Sequence, residues 1–313
     1  GLGDVYKRQL EGTRSPTVLI DDSVGDPVLS PDGSKIAYSD MRRECPAITE
    51  GWWDCYFRVF TIPFGGGAEV QMTPNEVESN GSNWLPDSRS IGLVTQRDIS
   101  DDDEQREWSL ATVDISRPLL VDQVHGPSAY ALWDAQWSVT GQIVAVAQQE
   151  FTNTFLLVHD SDGKEQALIA AASGDLREPE WSPNGAALAF VNAGEEGDEV
   201  VISAPDGSDR SVIATADHLA DVAWSPDGTR LAYLIVDELT DEAQLVVNDL
   251  DGTEQVVVDV VPSLWSFAWS PDSDAIAYTL ERRVWAVSPD GGDPWPLTPT
   301  GWNVISLDWG PWG

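Results

Sequence analysis

The sequence predicts an all-β fold of repeated four-stranded antiparallel sheets, and three observations predict it. A hairpin signature recurs along the chain, in full as Asp221-Val222-Ala223-Trp224-Ser225-Pro226-Asp227-Gly228-Thr229-Arg230-Leu231-Ala232-Tyr233. The large residue that anchors each copy falls at Leu29, Trp84, Trp137, Trp181, Trp224, Trp269 and Trp309, at gaps of 40 to 55 residues. Between anchors lies a second hairpin, turning at Asp162-Gly163, Asp206-Gly207, Asp251-Gly252 or Gly291-Gly292.

Each element follows from local chemistry. Strand A ends at the anchor, and Pro-Asp-Gly makes the turn. Pro presets φ, Asp bonds the backbone two residues on, and Gly accepts a positive φ. Strand B then alternates, with Leu231 and Tyr233 on one face and Ala232 on the other. Strands C and D form the second hairpin, because Asp-Gly and Gly-Gly between apolar runs are strong turn signals. Earlier copies are looser, with Phe57–Met72 turning through Gly65-Gly66-Gly67 and Trp108–Val121 around Ser116. One such unit cannot bury its own apolar faces, so the units must stack as the blades of a β-propeller.

Seven blades are expected, with six as the alternative. Ile305–Gly310 reads as strand A of a seventh blade and Thr17–Ile20 as its strand D. Pairing them would remove open edges and leave an incomplete closing blade. Residues 10–313 are thus expected to form one propeller domain. Two turns depart from the pattern, with Leu85 for Ser after Trp84 and Val139-Thr140 for Pro-Asp after Trp137. Their turns are expected to change without loss of the strands. Residues 1–9 are set aside, because Asp4-Val5-Tyr6-Lys7-Arg8-Gln9 back-translates to GATGTGTATAAGAGACAG, the end of a sequencing adapter.

Composition bounds the function. The 313 residues are 42% apolar, which excludes a disordered chain. No apolar run approaches the length of a membrane-spanning helix. A formal charge of -36, with 17 basic residues against 53 acidic, argues against nucleic acid or an anionic membrane surface as partner.

The Trp-Ser-Pro-Asp-Gly…Leu/Ile-Ala-Tyr/Phe hairpin followed by an Asp-Gly hairpin resembles the repeat of the TolB-like β-propeller family. That family is distantly related to WD-repeat proteins and to the propellers of prolyl-oligopeptidase-type peptidases. The resemblance covers about residues 26–313. It implies a non-enzymatic, extracytoplasmic propeller, either periplasmic, cell-surface or secreted, that binds a protein or peptide. The alternatives are a sensor domain of a larger membrane-anchored protein, or the propeller of a polysaccharide lyase or peptidase. A single monomeric propeller is expected.

Candidate site residues gather in the B–C and D–A connections, which leave a four-stranded blade at the same end. The expected long B–C loops are Asp40–Asp54, Gln96–Glu107, Asn192–Glu199 and Asp237–Ala243, and the D–A connections Pro74–Asn83 and Asp122–Asp134. Cys45 and Cys55, the two cysteines, bracket Trp52 and Trp53. A disulfide there would contribute roughly 3 kcal/mol and imply an oxidising compartment. Unrelated thiols are the other reading. Trp52 and Trp53 are candidate partner anchors, as are Tyr130, Trp133, Trp265 and Trp302, with packing against the blades as the alternative. Trp181, Trp224, Trp269 and Trp309 are assigned to the core.

Three residues before their anchors stand Asp26, Asp134, Glu178 and Asp221. Like charges brought together call for a cation such as Ca²⁺ or a partner's Lys or Arg, unless each simply faces water. No other metal or cofactor is expected. Catalytic signals are poor. There is no Gly-x-Ser-x-Gly elbow, and His125, His159 and His218 have no metal-ligand spacing.

Overall fold

A computed structural model of the chain describes residues 3–7, 17–40, 57–75, 77–98, 106–149, 153–170, 174–237, 239–240, 242–250, 253–262, 264, 266–299, 304 and 307–309. They form an all-β propeller fold whose 25 strands make six antiparallel sheets, each a simple meander. Contacts divide the chain into two compact units, Gly1–Ala135 with Trp312–Gly313, and Gln136–Pro311.

The first unit holds two blades. One is β1 (Gly3–Lys7), β2 (Thr17–Leu29), β3 (Lys35–Asp40), β4 (Arg58–Pro63) and β5 (Val70–Gln71). The next is β6 (Glu78–Trp84), β7 (Ser90–Asp98), β8 (Arg106–Asp114) and β9 (Val121–Ser128). The boundary falls within β10 (Ala131–Trp137), which starts the sheet of β11 (Ile143–Gln148), β12 (Phe155–His159) and β13 (Glu165–Ile169).

Three blades follow in the second unit. They are β14 (Asp175–Trp181), β15 (Leu188–Gly194), β16 (Gly197–Ser203) and β17 (Ser211–Ala216); then β18 (Leu219–Trp224), β19 (Arg230–Asp237), β20 (Glu242–Asp249) and β21 (Thr253–Pro262); then β22 (Phe267–Trp269), β23 (Ile276–Leu280), β24 (Arg283–Val287) and β25 (Trp295–Pro296).

The lower of the two expected blade counts is the observed one. Thr17–Ile20 does not close a seventh blade but runs straight on to Leu29 as part of β2. At the other end, Leu307, Asp308 and Trp309 lie outside any strand. β1, drawn from the segment set aside in the sequence, pairs with β2 on the edge of the first sheet.

The repeated hairpin behaves as its residues require. Gly33, Gly141, Gly185 and Gly228 all sit at positive φ and donate back to the carbonyl three residues earlier, as Gly228 does to Ser225 at 2.8 Å. The serine after the anchor is the hinge. Ser225 is fully buried, donates to Asp227 Oδ1 at 2.7 Å and accepts the Arg230 N–H at 2.9 Å. Ser30 and Ser270 repeat the arrangement.

The two divergent turns keep this backbone, contrary to expectation. Ser88 N–H still bonds Leu85 O, and Gly141 N–H still bonds Ser138 O. Asp87 replaces the missing serine by accepting the Arg89 and Ser90 N–H groups.

Strand B explains how blades stack. Leu231 and Tyr233 pack into the cluster shared with the preceding blade, while Ala232 packs with Trp269 of the following one. Ala37 and Trp84 repeat this in the first unit. A small residue there admits the next indole, and that indole donates its N–H back to the preceding blade. Trp84 reaches Val28 O at 3.0 Å, Trp181 Gln136 O at 3.2 Å, Trp269 Ala223 O at 3.3 Å and Trp224 Glu180 O at 3.4 Å. Trp181 and Trp269 are buried as expected, but Trp224 is only half-buried.

Candidate binding site at the bulge end of the blades

A meander places its A–B and C–D turns at one end and its B–C and D–A connections at the other. Strand A carries a distortion towards the second end. Between Arg177 and Glu180 of β14, three residue steps face two on β15, so one extra residue is inserted. The same bulge recurs between Ala220 and Ala223, Asn80 and Asn83, and Gly25 and Val28. The residue three before the anchor sits inside it. Asp134, Glu178 and Asp221 adopt φ of 47°, 53° and 57°, the left-handed conformation that short polar side chains and glycine tolerate best.

The bulge turns Glu178 and Asp221 toward the next blade. Glu178 Oε2 accepts the Asp221 N–H at 2.6 Å, and the Asp221 carboxylate accepts the Phe267 N–H. Burial pushes the Glu178 carboxyl above its usual range, against the pull of the Asp221 N–H and of Arg177. Solvent still touches Asp221, yet it stands amid enough protein that desolvation, followed by the Glu178 charge, pushes it up to about 6. Two like charges are held side by side.

Beside them lies a network that sequence reasoning missed. Buried Asp198 accepts from Arg177 Nη2 at 2.7 Å and from the Leu219 N–H at 2.9 Å, while His218 Nδ1 stands 3.3 Å from the same oxygen. Arg177 Nη2 also donates to Leu219 O at 2.8 Å, and its Nε lies 3.8 Å from Glu178 Oε1. Arg177, Asp198 and His218 stand on different segments about 20 residues apart, so only strand pairing brings them together. The arrangement can orient an imidazole and hold a positive group of a ligand between Glu178 and Asp221.

The other expected site residues fall elsewhere. Asp134 belongs to the first unit, as does Asp26, which sits on β2 inside its bulge. Among the described residues, no three His, Cys, Asp or Glu side chains converge on a metal position. Trp133 is half-buried on β10 and Tyr130 half-buried in the bend before it. Trp52, Trp53, Trp265, Trp302, Cys45 and Cys55 lie outside the described residues. His159 is fully buried on β12, and His125 lies on β9.

Several expected loops prove to be strand. Asp122–Asp134 is mostly β9 and β10, with Ala129 and Tyr130 between them, and Asn192–Glu199 closes in a two-residue turn at Glu195-Glu196. Likewise 78–83 belongs to β6, and Asp237 and Glu242 are the ends of β19 and β20. Their residues read as loops because strand ends and solvent-facing strand positions carry polar side chains. No helix among the described residues is long and apolar enough to cross a membrane.

The repeated blades define a β-propeller, a fold that hosts binding proteins and enzymes alike. No family model matches the chain. It is 23% identical over 174 residues to the uncharacterized protein Atu1656 of Agrobacterium fabrum, a match that covers 52% of each chain. The chain thus spans about half the length of the curated relative it matches. Three solved structures are similar in fold. An oligogalacturonate lyase in complex with manganese aligns with TM-score 0.63 and 14% identity, over 85% of this chain and 74% of that one. TolB from Acinetobacter baumannii aligns with TM-score 0.53 and 14% identity, over 76% and 55%. A prolyl endopeptidase aligns with TM-score 0.68 and 15% identity, over 94% and 46%.

Proposed function

We propose that this chain is a non-enzymatic, extracytoplasmic TolB-like propeller that binds a protein or peptide at the bulge end of its blades. The observation that carries this reading is the Glu178–Asp221 pair. Two carboxylates whose ionised forms are disfavoured by desolvation, that of Asp221 also by the Glu178 charge, gain from a cationic group placed between them. A lysine or arginine of the partner supplies that group, and the net charge of -36 steers a basic segment toward the protein. Half-buried Tyr130 and Trp133, before and on β10, are offered separately as apolar contacts of the kind that anchors interfaces.

A second reading is an enzyme, favoured by the His218–Asp198 contact, since a carboxylate that orients an imidazole is the usual companion of a general base. The two readings separate experimentally. Immobilised chain should retain a partner from periplasmic or culture-supernatant extract, competed by excess free chain. Glu178→Gln with Asp221→Asn should weaken that capture at least tenfold without lowering Tm. Undiminished capture by the double variant overturns the site. Wild-type turnover of polygalacturonate or peptide substrates, lost in His218→Ala, establishes the enzyme instead.

A further inference from the structure

At the turn end of the blades, opposite Glu178 and Asp221, a groove of about 440 Å³ opens between the A–B turns that follow Trp181 and Trp224. Pro183, Asn184 and Ala186 of one blade and Trp224, Pro226 and Asp227 of the next are among its lining residues. Its opening has a local cause. Where other copies place serine at the left-handed position of this turn, the hydroxyl bridges to the preceding blade: Ser88 Oγ accepts the Asp32 N–H at 2.9 Å, and Ser273 Oγ accepts the Asp227 N–H at 3.1 Å. At Gly185 the space is filled differently, since Thr140 of the preceding turn would lie 3.1 Å from an added Cβ.

Gly228 has neither device. An added Cβ there would meet nothing nearer than Pro183 Cδ at 3.6 Å, so the space is open, although φ of 72° strains any side chain placed on it. Trp84, Trp181 and Trp269 are correspondingly buried, whereas Trp224 is half-exposed and makes the longest of the indole bonds.

We propose that the groove at Gly228 is a second binding site, which takes an arginine side chain of a basic, extended peptide, its guanidinium against Trp224 and Asp227. An indole and two prolines offer flat apolar surface to a planar, weakly hydrated cation. The charge is supplied by Asp227. Its Oδ1 takes Ser225 Oγ, the Thr229 N–H and Thr229 Oγ1, and the residue is exposed. The hydrogen bond from Ser225, with those from Thr229, keeps this exposed carboxylate ionised below the usual range. Arg230, whose charge also reaches Asp227, is held away by Asp249 at 2.7 Å and Asp290 at 2.8 Å. The site lies at the other end of the blades from the one proposed above and stands independently of it.

The test uses the full chain and acetyl-Gly-Gly-Arg-Gly-Gly-amide, with the citrulline peptide as its neutral isostere, followed by ¹H–¹⁵N NMR. Saturable shifts are expected at the Trp224 indole and Gly228 amide signals, with the citrulline peptide at least tenfold weaker. Gly228→Ser leaves net charge untouched and should bridge to the Asn184 N–H as Ser88 and Ser273 do. It is expected to weaken binding at least tenfold in a chain that still unfolds cooperatively, with Tm lowered by no more than a few degrees for the strain at φ of 72°. Asp227→Asn, whose turn is already built with asparagine at Asn184, should weaken it similarly and decides the matter if Gly228→Ser folds poorly. Equal affinity of the two peptides, absence of shifts at Trp224 and Gly228, or full binding by the folded variants overturns the proposal.

Discussion

The two ends of the blades use aspartate in opposite ways. At the turn end Asp32, Asp227 and Asp272 sit in the open. Each is held below the usual carboxylate range by a bond from the serine two residues earlier and then by its own turn. At the bulge end Glu178 and Asp221 are raised by desolvation, and Asp221 also by its neighbour. The same side chain is a structural clasp where backbone N–H groups converge on it. It is a disfavoured charge where a bulge turns it toward another carboxylate and desolvation outweighs its backbone bonds. Residues that repeat in the sequence therefore mark scaffold, and the proposed binding end is marked by carboxyls that desolvation raises despite their backbone hydrogen bonds.

Four substitutions sharpen that contrast, the largest effect first. Asp198→Ala leaves Arg177 and the Leu219 N–H without their buried acceptor and should cost about 3–5 kcal/mol. Differential scanning calorimetry should then record a Tm lower by roughly 10 °C. A loss under 1 kcal/mol would mean that the network contributes little and that solvent already supports Arg177.

Ser225→Ala removes the hinge of one turn, fully buried, and strands the Arg230 N–H, at about 1–3 kcal/mol in chemical denaturation. The equivalent Ser30→Ala should cost a similar amount within the first unit. Unequal losses would show that the turns, though alike in sequence, are not alike in energy.

Asp221→Asn has the smallest effect and the most telling sign. A carboxyl raised in the folded state binds protons that the unfolded chain has released. Its contribution to stability is therefore present at low pH and lost as pH rises from about 4 through about 6. Because solvent reaches Asp221, the gain from removing its charge is discounted to roughly 0.5 kcal/mol, or about 1–2 °C at pH 7.5. The difference between Asp221→Asn and wild type should vanish near pH 4. Asp227 has the reverse sign: its contribution is present above the unfolded value and lost as pH falls through its lowered folded value.

The turn end was legible in the sequence because its chemistry is local. Ser225, Pro226, Asp227 and Gly228 specify one hairpin within four residues, and the alternation of Leu231, Ala232 and Tyr233 assigned the faces that the clusters confirm. The bulge end was legible only as a row of carboxylates. Its left-handed backbone had a signal in the use of Asp26, Gly81, Asp134 and Asp221 at one position, but Glu178, a poor left-handed residue, obscured it. The Asp198 network left no local trace, since its members meet only after β14, β16 and β18 are aligned. Strands β9 and the start of β10 were hidden by their polar residues, Asp122, Gln123 and Asp134 among them, which belong to exposed strand rather than loop.

The contrast between the two ends is tested most directly by carboxyl-detected ¹³C NMR titration of Asp221 and Asp227 in the same sample. Asp221 should titrate near 6 and fall toward the ordinary aspartate range in Glu178→Gln, while Asp227 should titrate below that range in both proteins. Coincident titration of the two groups in the ordinary aspartate range would contradict it.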